Sequence, residues 1–376
     1  MKLGLYIHIP FCAKKCKYCD FISFPESHGR INEYFEALKK EILNNKINNK
    51  EISTIYIGGG TPSFVHSKYI VEIISLIRNN YVISEDAEIT IEINPGTIDK
   101  NKLLDYKKMG VNRISIGLQS ACDRLLELIG RIHKYEDFLK TYNLVKEVGF
   151  NNINVDLMLA LPTQTIDDLT DTLNKIIDLE PNHISLYSLI LEENTELEYM
   201  INNKKLELIN EIEERRMYHL SKKILEKNGY IHYEISNFAQ KGFESKHNMD
   251  CWNQEEYIGM GLSAHSYFNN KRFSNTIYLD KYIENIKNGN FEKNIEIHEV
   301  QEKEDKMKEY MMLGFRKLKG ISITEFEKKF RINPLFYFRF ELEKLTDQGL
   351  IEVDLDNIKL TKSGLDLANI VFEEFV

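Results

Sequence analysis

Six short β-rich runs recur through the first half of the chain with helical stretches between them, and no other feature limits the fold as strongly. The runs are Leu3 to Ile9, Thr54 to Ile57, Glu88 to Ile93, Arg113 to Gly117, Asn152 to Leu159 and His183 to Leu189. Between them, Asn32 to Asn44, Lys68 to Asn79 and Leu169 to Leu179 carry apolar residues at three- and four-residue spacing, as the crossover helices of a parallel sheet do. The fold expected is α/β, a partial (βα)6 barrel of the TIM type. In such barrels the reactive side chains gather at the C-terminal ends of the strands, where loops vary without disturbing the core.

The unusual residues of this chain fall at those ends. Cys12, Cys16 and Cys19, spaced C-x3-C-x2-C, follow the first run, and Gly58-Gly59-Gly60-Thr61-Pro62 follows the second. Glu92-Ile93-Asn94-Pro95 closes the third, Gly117-Leu118-Gln119 the fourth, and Asp156 lies within the fifth. Three thiolates suffice to hold a cubane iron–sulfur cluster while leaving one iron open to a small chelating molecule. Zinc is the alternative; it would want a fourth ligand, and the nearest imidazoles, His8 and His28, stand at no usual knuckle spacing. The three glycines let backbone groups approach a ligand closely, although a plain turn uses the same residues.

With 376 residues and 43% apolar content, the chain can bury one large core and a smaller one. A formal net charge of -9 weighs against nonspecific binding to nucleic acid or an anionic membrane. Five cysteines, three of them clustered, suit a reducing compartment, so the cytoplasm is expected. The run Met1 to Phe11 is too short for a signal-peptide core, and no stretch approaches the roughly 18 apolar residues of a membrane span.

After Leu189 the pattern changes to a charged helix from about Leu208 to Lys227, then Tyr233-Glu234-Ile235-Ser236-Asn237-Phe238 and a polar, aromatic stretch to about Tyr267. Residues 1–190 are therefore read as the barrel, 191–299 as an extension covering its mouth, and 300–376 as a small domain of three helices and a β-hairpin wing around Asp354 to Asn357. A wing invites a DNA reading. Yet Lys317, Lys319, Lys328, Lys329, Arg331 and Arg339 are interleaved with Glu325, Glu327, Glu341 and Glu343, whereas a groove-reading helix is more uniformly basic; no nucleic-acid partner is expected.

The cysteine spacing after a strand, together with the triple glycine after the next, resembles the radical S-adenosylmethionine superfamily. Through Tyr6-Ile7-His8-Ile9-Pro10-Phe11-Cys12 and Asp156-Leu157-Met158-Leu159-Ala160-Leu161-Pro162 the chain resembles one branch of it, the coproporphyrinogen III dehydrogenase-like proteins. The resemblance implies a 4Fe-4S cluster on Cys12, Cys16 and Cys19, with S-adenosylmethionine on the open iron. It also implies that Tyr6 and Tyr18 flank cofactor and cluster, Gly58, Gly59 and Gly60 meet the cofactor's amino group with Thr61 beside them in the cofactor site, Glu92 and Gln119 supply polar contacts, Arg131 faces its carboxylate and Asp156 completes the pocket. For Glu92 and Asp156 the alternative is a capping or ion-paired carboxylate at a strand end. For Arg131 it is a surface arginine.

That branch holds an enzyme and a haem chaperone. The enzyme carries a further cysteine two residues past the third, where this chain has Phe21, and an N-terminal extension, where this chain has eleven residues before Cys12. The chaperones share Cys-Asp-Phe at the end of the cluster motif and a His-Asn-x-x-Tyr-Trp motif, and this chain reads His247-Asn248-Met249-Asp250-Cys251-Trp252. The resemblance thus implies haem as a further ligand, with His247 as axial ligand beside Trp252, and haem-accepting proteins as partners. A hydrogen-bonded structural histidine is the alternative for His247. Cys251 departs from the motif's tyrosine, and a thiolate can also ligate haem iron; a small buried thiol is the plainer reading, as it is for Cys122. A homodimer and peripheral contact with membrane-bound acceptors are left open. The competing function is oxidative decarboxylation of coproporphyrinogen III.

Overall fold

All six runs are strands in the computed structural model, which describes residues 2–25, 28–45, 47 and 50–376. β1 (Lys2–Ile9), β2 (Glu51–Gly59), β3 (Ile83–Ile93), β4 (Arg113–Gln119), β5 (Ile153–Leu159) and β6 (His183–Ser188) lie side by side in that order, each neighbouring pair parallel. The expected helices form at His28–Asn44, Ser67–Asn80 and Ile166–Ile177. The partial (βα)6 barrel expected from the sequence is therefore what these residues build.

Alternation along each strand sorts the side chains. Leu5, Ile7, Ile55, Ile57, Ile91 and Ile116 join helix residues such as Leu38, Ile70 and Ile74 in one continuous core. Each such side chain contributes about 1.5–3 kcal/mol on burial. Their neighbours in sequence point the other way and are polar: Thr54, Tyr56, Glu92, Ser115, Asn154, Asp156 and His183 hydrogen-bond inside the barrel. A polar lumen is costly unless its groups are paired, so it holds its members in fixed positions.

The stretch after Leu189 does not cover the mouth as expected from sequence. Its strands extend the sheet at both edges. Tyr257–Met260 pairs parallel with β1 and is followed outward by His265–Phe268, Lys271–Asn275 and Ile295–Val300, while Asn237–Ala239 pairs antiparallel with β6 and Ile231–Glu234 lies beyond it. The physical reason is that a partial barrel has two open edges whose backbone groups need partners. The sheet so formed has 12 strands. At the mouth itself Ile190 and Glu192 of this stretch line the cavity.

The helix Lys246–Trp252, which carries the histidine motif, packs at the opposite end of the barrel. Its N-terminus is seated on the Glu88 carboxylate, which accepts the N–H groups of Lys246 and His247, both at 3.1 Å, and Ser245 caps it through the N–H of Asn248. An acidic group at a helix N-terminus is favourable because it meets unpaired donors.

The tail folds around its own core of Met307, Phe315, Phe326, Phe338, Leu342 and Ile358. Its hairpin, Ile351–Val353 and Asn357–Leu360, joins Ile321–Ser322 in a three-stranded sheet, which is the winged arrangement expected. Several basic side chains there are paired with acids: Arg339 with Glu343, Lys344 with Glu374, and Lys359 with Glu352 and Asp354. The tail also reaches the barrel sheet. Ile235 N–H donates to the Arg316 carbonyl at 3.0 Å and Leu318 N–H to that of Tyr233 at 3.1 Å, so this segment runs along the outer strand Ile231–Glu234. At the other edge, Ile295–Val300 is exposed along its length.

Candidate active site at the barrel mouth

A cavity of about 370 Å³ opens at the C-terminal ends of the six strands, within the range of roughly 300–1,000 Å³ typical of small-molecule sites. Cys12, Cys16, Cys19 and Tyr18 line it on the side of the loop after β1, and Gly59, Gly60, Thr61, Glu92, Gln119, Arg131 and Asp156 line the rest. Eleven residues singled out from sequence thus share one cavity. The two that do not are Tyr6 and His247.

Local backbone explains the residue types. Gly59 has φ +111 and a side chain there would meet the His8 ring at 2.6 Å, so only glycine fits. At Gly60 a side chain would press on the Phe11 carbonyl and the Cys12 sulfur, at 2.9 and 3.0 Å. Gln119 ends β4 with φ 74, a strained left-handed conformation that turns its side chain into the cavity.

Donors point at the sulfurs. Thr61 Oγ1 donates to Cys12 Sγ at 3.3 Å and Arg131 Nη1 to Cys16 Sγ at 3.6 Å. Arg131 Nη2 is fixed by Asn94 Oδ1 at 2.7 Å and by the Gly117 carbonyl. It is therefore a member of the site, not a surface arginine. Burial raises the thiols of Cys12 and Cys19, the latter to about 11, and such donors favour the thiolate that iron would bind. Among the described residues no three His, Cys, Asp or Glu side chains converge to hold a single metal ion. His8 is committed elsewhere, Nε2 to the Ile22 carbonyl and Nδ1 to the Tyr6 hydroxyl, both at 3.0 Å, and burial holds it neutral, down to about 4. The donor set fits three-thiolate ligation of a cluster better than a zinc site.

Two carboxylates face the cavity from below. Glu92 accepts from Tyr56 OH at 2.9 Å and from Gly59 N–H at 3.2 Å, and burial, then the charge of Asp156, pushes its carboxyl up to about 7. Asp156 accepts from Asn154 Nδ2 at 2.7 Å and Ser115 Oγ at 3.0 Å, and burial raises it too. Among the described residues neither is in an ion pair, although Glu92 also takes the N–H of Gly59 at the end of β2. Both are acceptors held in place by hydrogen bonds, suited to a bound cation.

Tyr6 sits deeper, its hydroxyl on His8. His247 is buried at the base: its Nδ1 lies 2.8 Å from Thr54 Oγ1, its ring stacks on Tyr56, and burial lowers it to about 4. Trp252 carries the Arg316 guanidinium on its face at 4.3 Å. Burial pushes the Cys251 thiol up to about 12, and neither it nor Cys122 lines the cavity. Sequence reasoning gave no role to Asn94, Tyr56 or Tyr187, which also line the mouth. Period-two spacing from Gly58 and Glu92 picks out the first two, since Tyr56 and Asn94 stand two residues away on the same faces.

Comparison with known proteins defines the class. The radical SAM superfamily profile matches residues 6–176 and that of the HemN C-terminal domain matches 301–367. The structure of coproporphyrinogen III oxidase, HemN, from Escherichia coli superposes with a TM-score of 0.86 over 99% of this chain and 89% of that one, at 23% identity, and so shares its fold. This is a radical SAM protein, of a superfamily built around an iron–sulfur cluster and S-adenosylmethionine. The chain is 37% identical to the heme chaperone HemW of Bacillus subtilis over 99% of its length and 98% of that protein's, and 32% identical to that of Escherichia coli over 100% and 98%. Within the superfamily it belongs to the HemW family.

Proposed function

We propose that this chain is a haem chaperone: it binds haem and hands it to haem-accepting proteins, carrying a 4Fe-4S cluster on Cys12, Cys16 and Cys19 with S-adenosylmethionine at the open iron. The observation that carries this reading is similarity over nearly the whole chain to HemW proteins of two bacteria, at 37% and 32% identity, joined to Phe21 in place of the decarboxylating enzyme's further cysteine. The domain reading follows it, with 1–190 as the barrel, 191–299 as the extension bearing the haem motif and 300–376 as the C-terminal domain.

In this reading Glu92 and Asp156 receive the ammonium and ribose of the cofactor, Arg131 its carboxylate, and Gly59 and Gly60 leave room for the backbone contacts. When bound, cluster and cofactor would supply one-electron chemistry. His247 is the proposed axial ligand, and it can reach iron only when the helix Lys246–Trp252 leaves its seat on Glu88 and Thr54. No helix among the described residues is long and apolar enough to cross a membrane, so contact with membrane acceptors would be peripheral.

The test is a hemin titration of the cluster-reconstituted protein beside anaerobic turnover with coproporphyrinogen III. Stoichiometric Soret-shifted binding without turnover is expected. Turnover without stable binding would select the decarboxylase instead. Within the titration, His247→Ala should lose the Soret shift and Cys251→Tyr should retain it; the reverse dependence would assign ligation to the Cys251 thiolate.

A further inference from the structure

We propose that the cofactor cavity and the haem-motif helix are the two ends of one switch, so that S-adenosylmethionine at the mouth favours the docked helix and expels haem. The proposal rests on the haem reading above and adds its regulation.

Two chains of contacts cross the lumen, and both end on a cavity carboxylate. In the first, His247 stacks on Tyr56 with ring centroids 5.2 Å apart at 29°, and the Tyr56 hydroxyl donates to Glu92. In the second, Ser245, the N-cap of the motif helix, donates its N–H to Tyr233 OH at 3.2 Å. Tyr233 OH meets His183 Nε2 at 2.7 Å, His183 Nδ1 meets Asn154 Oδ1 at 2.6 Å, and Asn154 Nδ2 donates to Asp156.

The direction of the second chain is fixed by chemistry. Burial keeps His183 neutral, and Asn154 uses its amide nitrogen for Ser115 and Asp156, so the carbonyl oxygen must accept from His183 Nδ1–H. His183 Nε2 then accepts the Tyr233 proton, and the Tyr233 oxygen accepts from Ser245. Each donor points toward Asp156. Hydrogen bonds aligned in this way polarise one another, so the strength of the last link depends on the charge at the end of the line.

A cation bound at the mouth stabilises the ionised forms of Glu92 and Asp156. Ionised carboxylates are the better acceptors, which strengthens Tyr56 and the chain to Ser245, and with them the docked helix. Haem, which needs His247 released, draws on the opposite state. Two ligands that select opposite states of one element must weaken one another by the same factor.

The experiment is hemin affinity by Soret titration of the cluster-reconstituted chain with and without saturating S-adenosylmethionine, and S-adenosylmethionine affinity by equilibrium dialysis with and without hemin. About a 5-fold or larger mutual weakening is expected in both directions. In Tyr56→Phe, which keeps the stacked ring and loses the hydroxyl, and in Tyr233→Phe, the factor should fall below about 2. An unchanged hemin affinity in the wild-type chain overturns the switch, as does a factor that survives both substitutions. A wild-type chain that takes up no hemin overturns the proposed function instead. Failure to bind S-adenosylmethionine at all overturns both.

Discussion

The ring of Tyr56 lies against that of His247 inside the barrel, and the hydroxyl of the same tyrosine ends on a carboxylate of the mouth. One side chain thus spans the distance between the motif helix and the cofactor cavity. Thr54, two residues earlier on β2, holds the other side of the imidazole. The pleat of a strand makes this geometry, because residues two apart rise along the same wall.

Reconstituted protein should hold one four-iron cluster. Cys12→Ser, Cys16→Ser and Cys19→Ser should each lose it, since an alkoxide replaces a thiolate poorly at these irons. Cys122→Ser and Cys251→Ser should keep it. Iron and sulfide content decide the matter, and full content in all three motif variants would remove the cluster assignment.

Glu92→Gln and Asp156→Asn keep the shape of each side chain and remove the charge offered to the mouth. Each should weaken S-adenosylmethionine binding by about 10-fold or more, the equivalent of roughly 1–3 kcal/mol for a buried charged contact. Equilibrium dialysis measures this directly. Wild-type affinity in both would place the cofactor elsewhere.

Gly59→Ala and Gly96→Ala make a matched pair, both at positive φ, the first against the His8 ring and the second with nothing within 4 Å. The second should cost about 1 kcal/mol of backbone strain. The first should cost distinctly more, since the imidazole is held at both nitrogens and cannot move aside. Denaturant midpoints compare them. Equal losses would mean that the loop after β2 yields.

The docked helix should loosen in acid. The folded value of His247 lies below its unfolded value of about 6.5, so the docked state has its full stability above that pH and loses it as pH falls toward about 4. At pH 5 the loss is about 2 kcal/mol. Asp250, whose carboxyl burial raises, works weakly in the opposite sense. Amide exchange across Lys246–Trp252 should be faster at pH 5 than at pH 7 after correction for intrinsic rates. An unchanged protection factor would mean that the helix does not open alone.

The barrel and most of its mouth were legible in the chain because β-rich runs alternate with helical segments of three- and four-residue apolar spacing. Glycine, cysteine and carboxylate at the strand ends drew the cavity, Asp156 included, whereas Arg131 came from the family resemblance alone. The placement of the extension was not legible. Its strands are short and half polar, and pairing at an edge is decided by backbone groups left open in other strands, which leave no mark in its own sequence. The sequence left His247 open between haem ligand and hydrogen-bonded structural histidine for a related reason. A motif histidine reads alike whether it faces solvent or Thr54, and only the meeting of segments nearly 200 residues apart separates the two.

The uneven finish of the sheet bears on how the chain can be cut. Beyond Ile231–Glu234, the Tyr233 carbonyl accepts from Leu318 N–H and the Ile235 N–H donates to the Arg316 carbonyl. Removing residues after about 300 would bare that margin and leave the remainder sticky at both flanks, where strands of different molecules can join. The winged tail is thus a stopper for the barrel, and the smallest well-behaved fragment of this protein includes it.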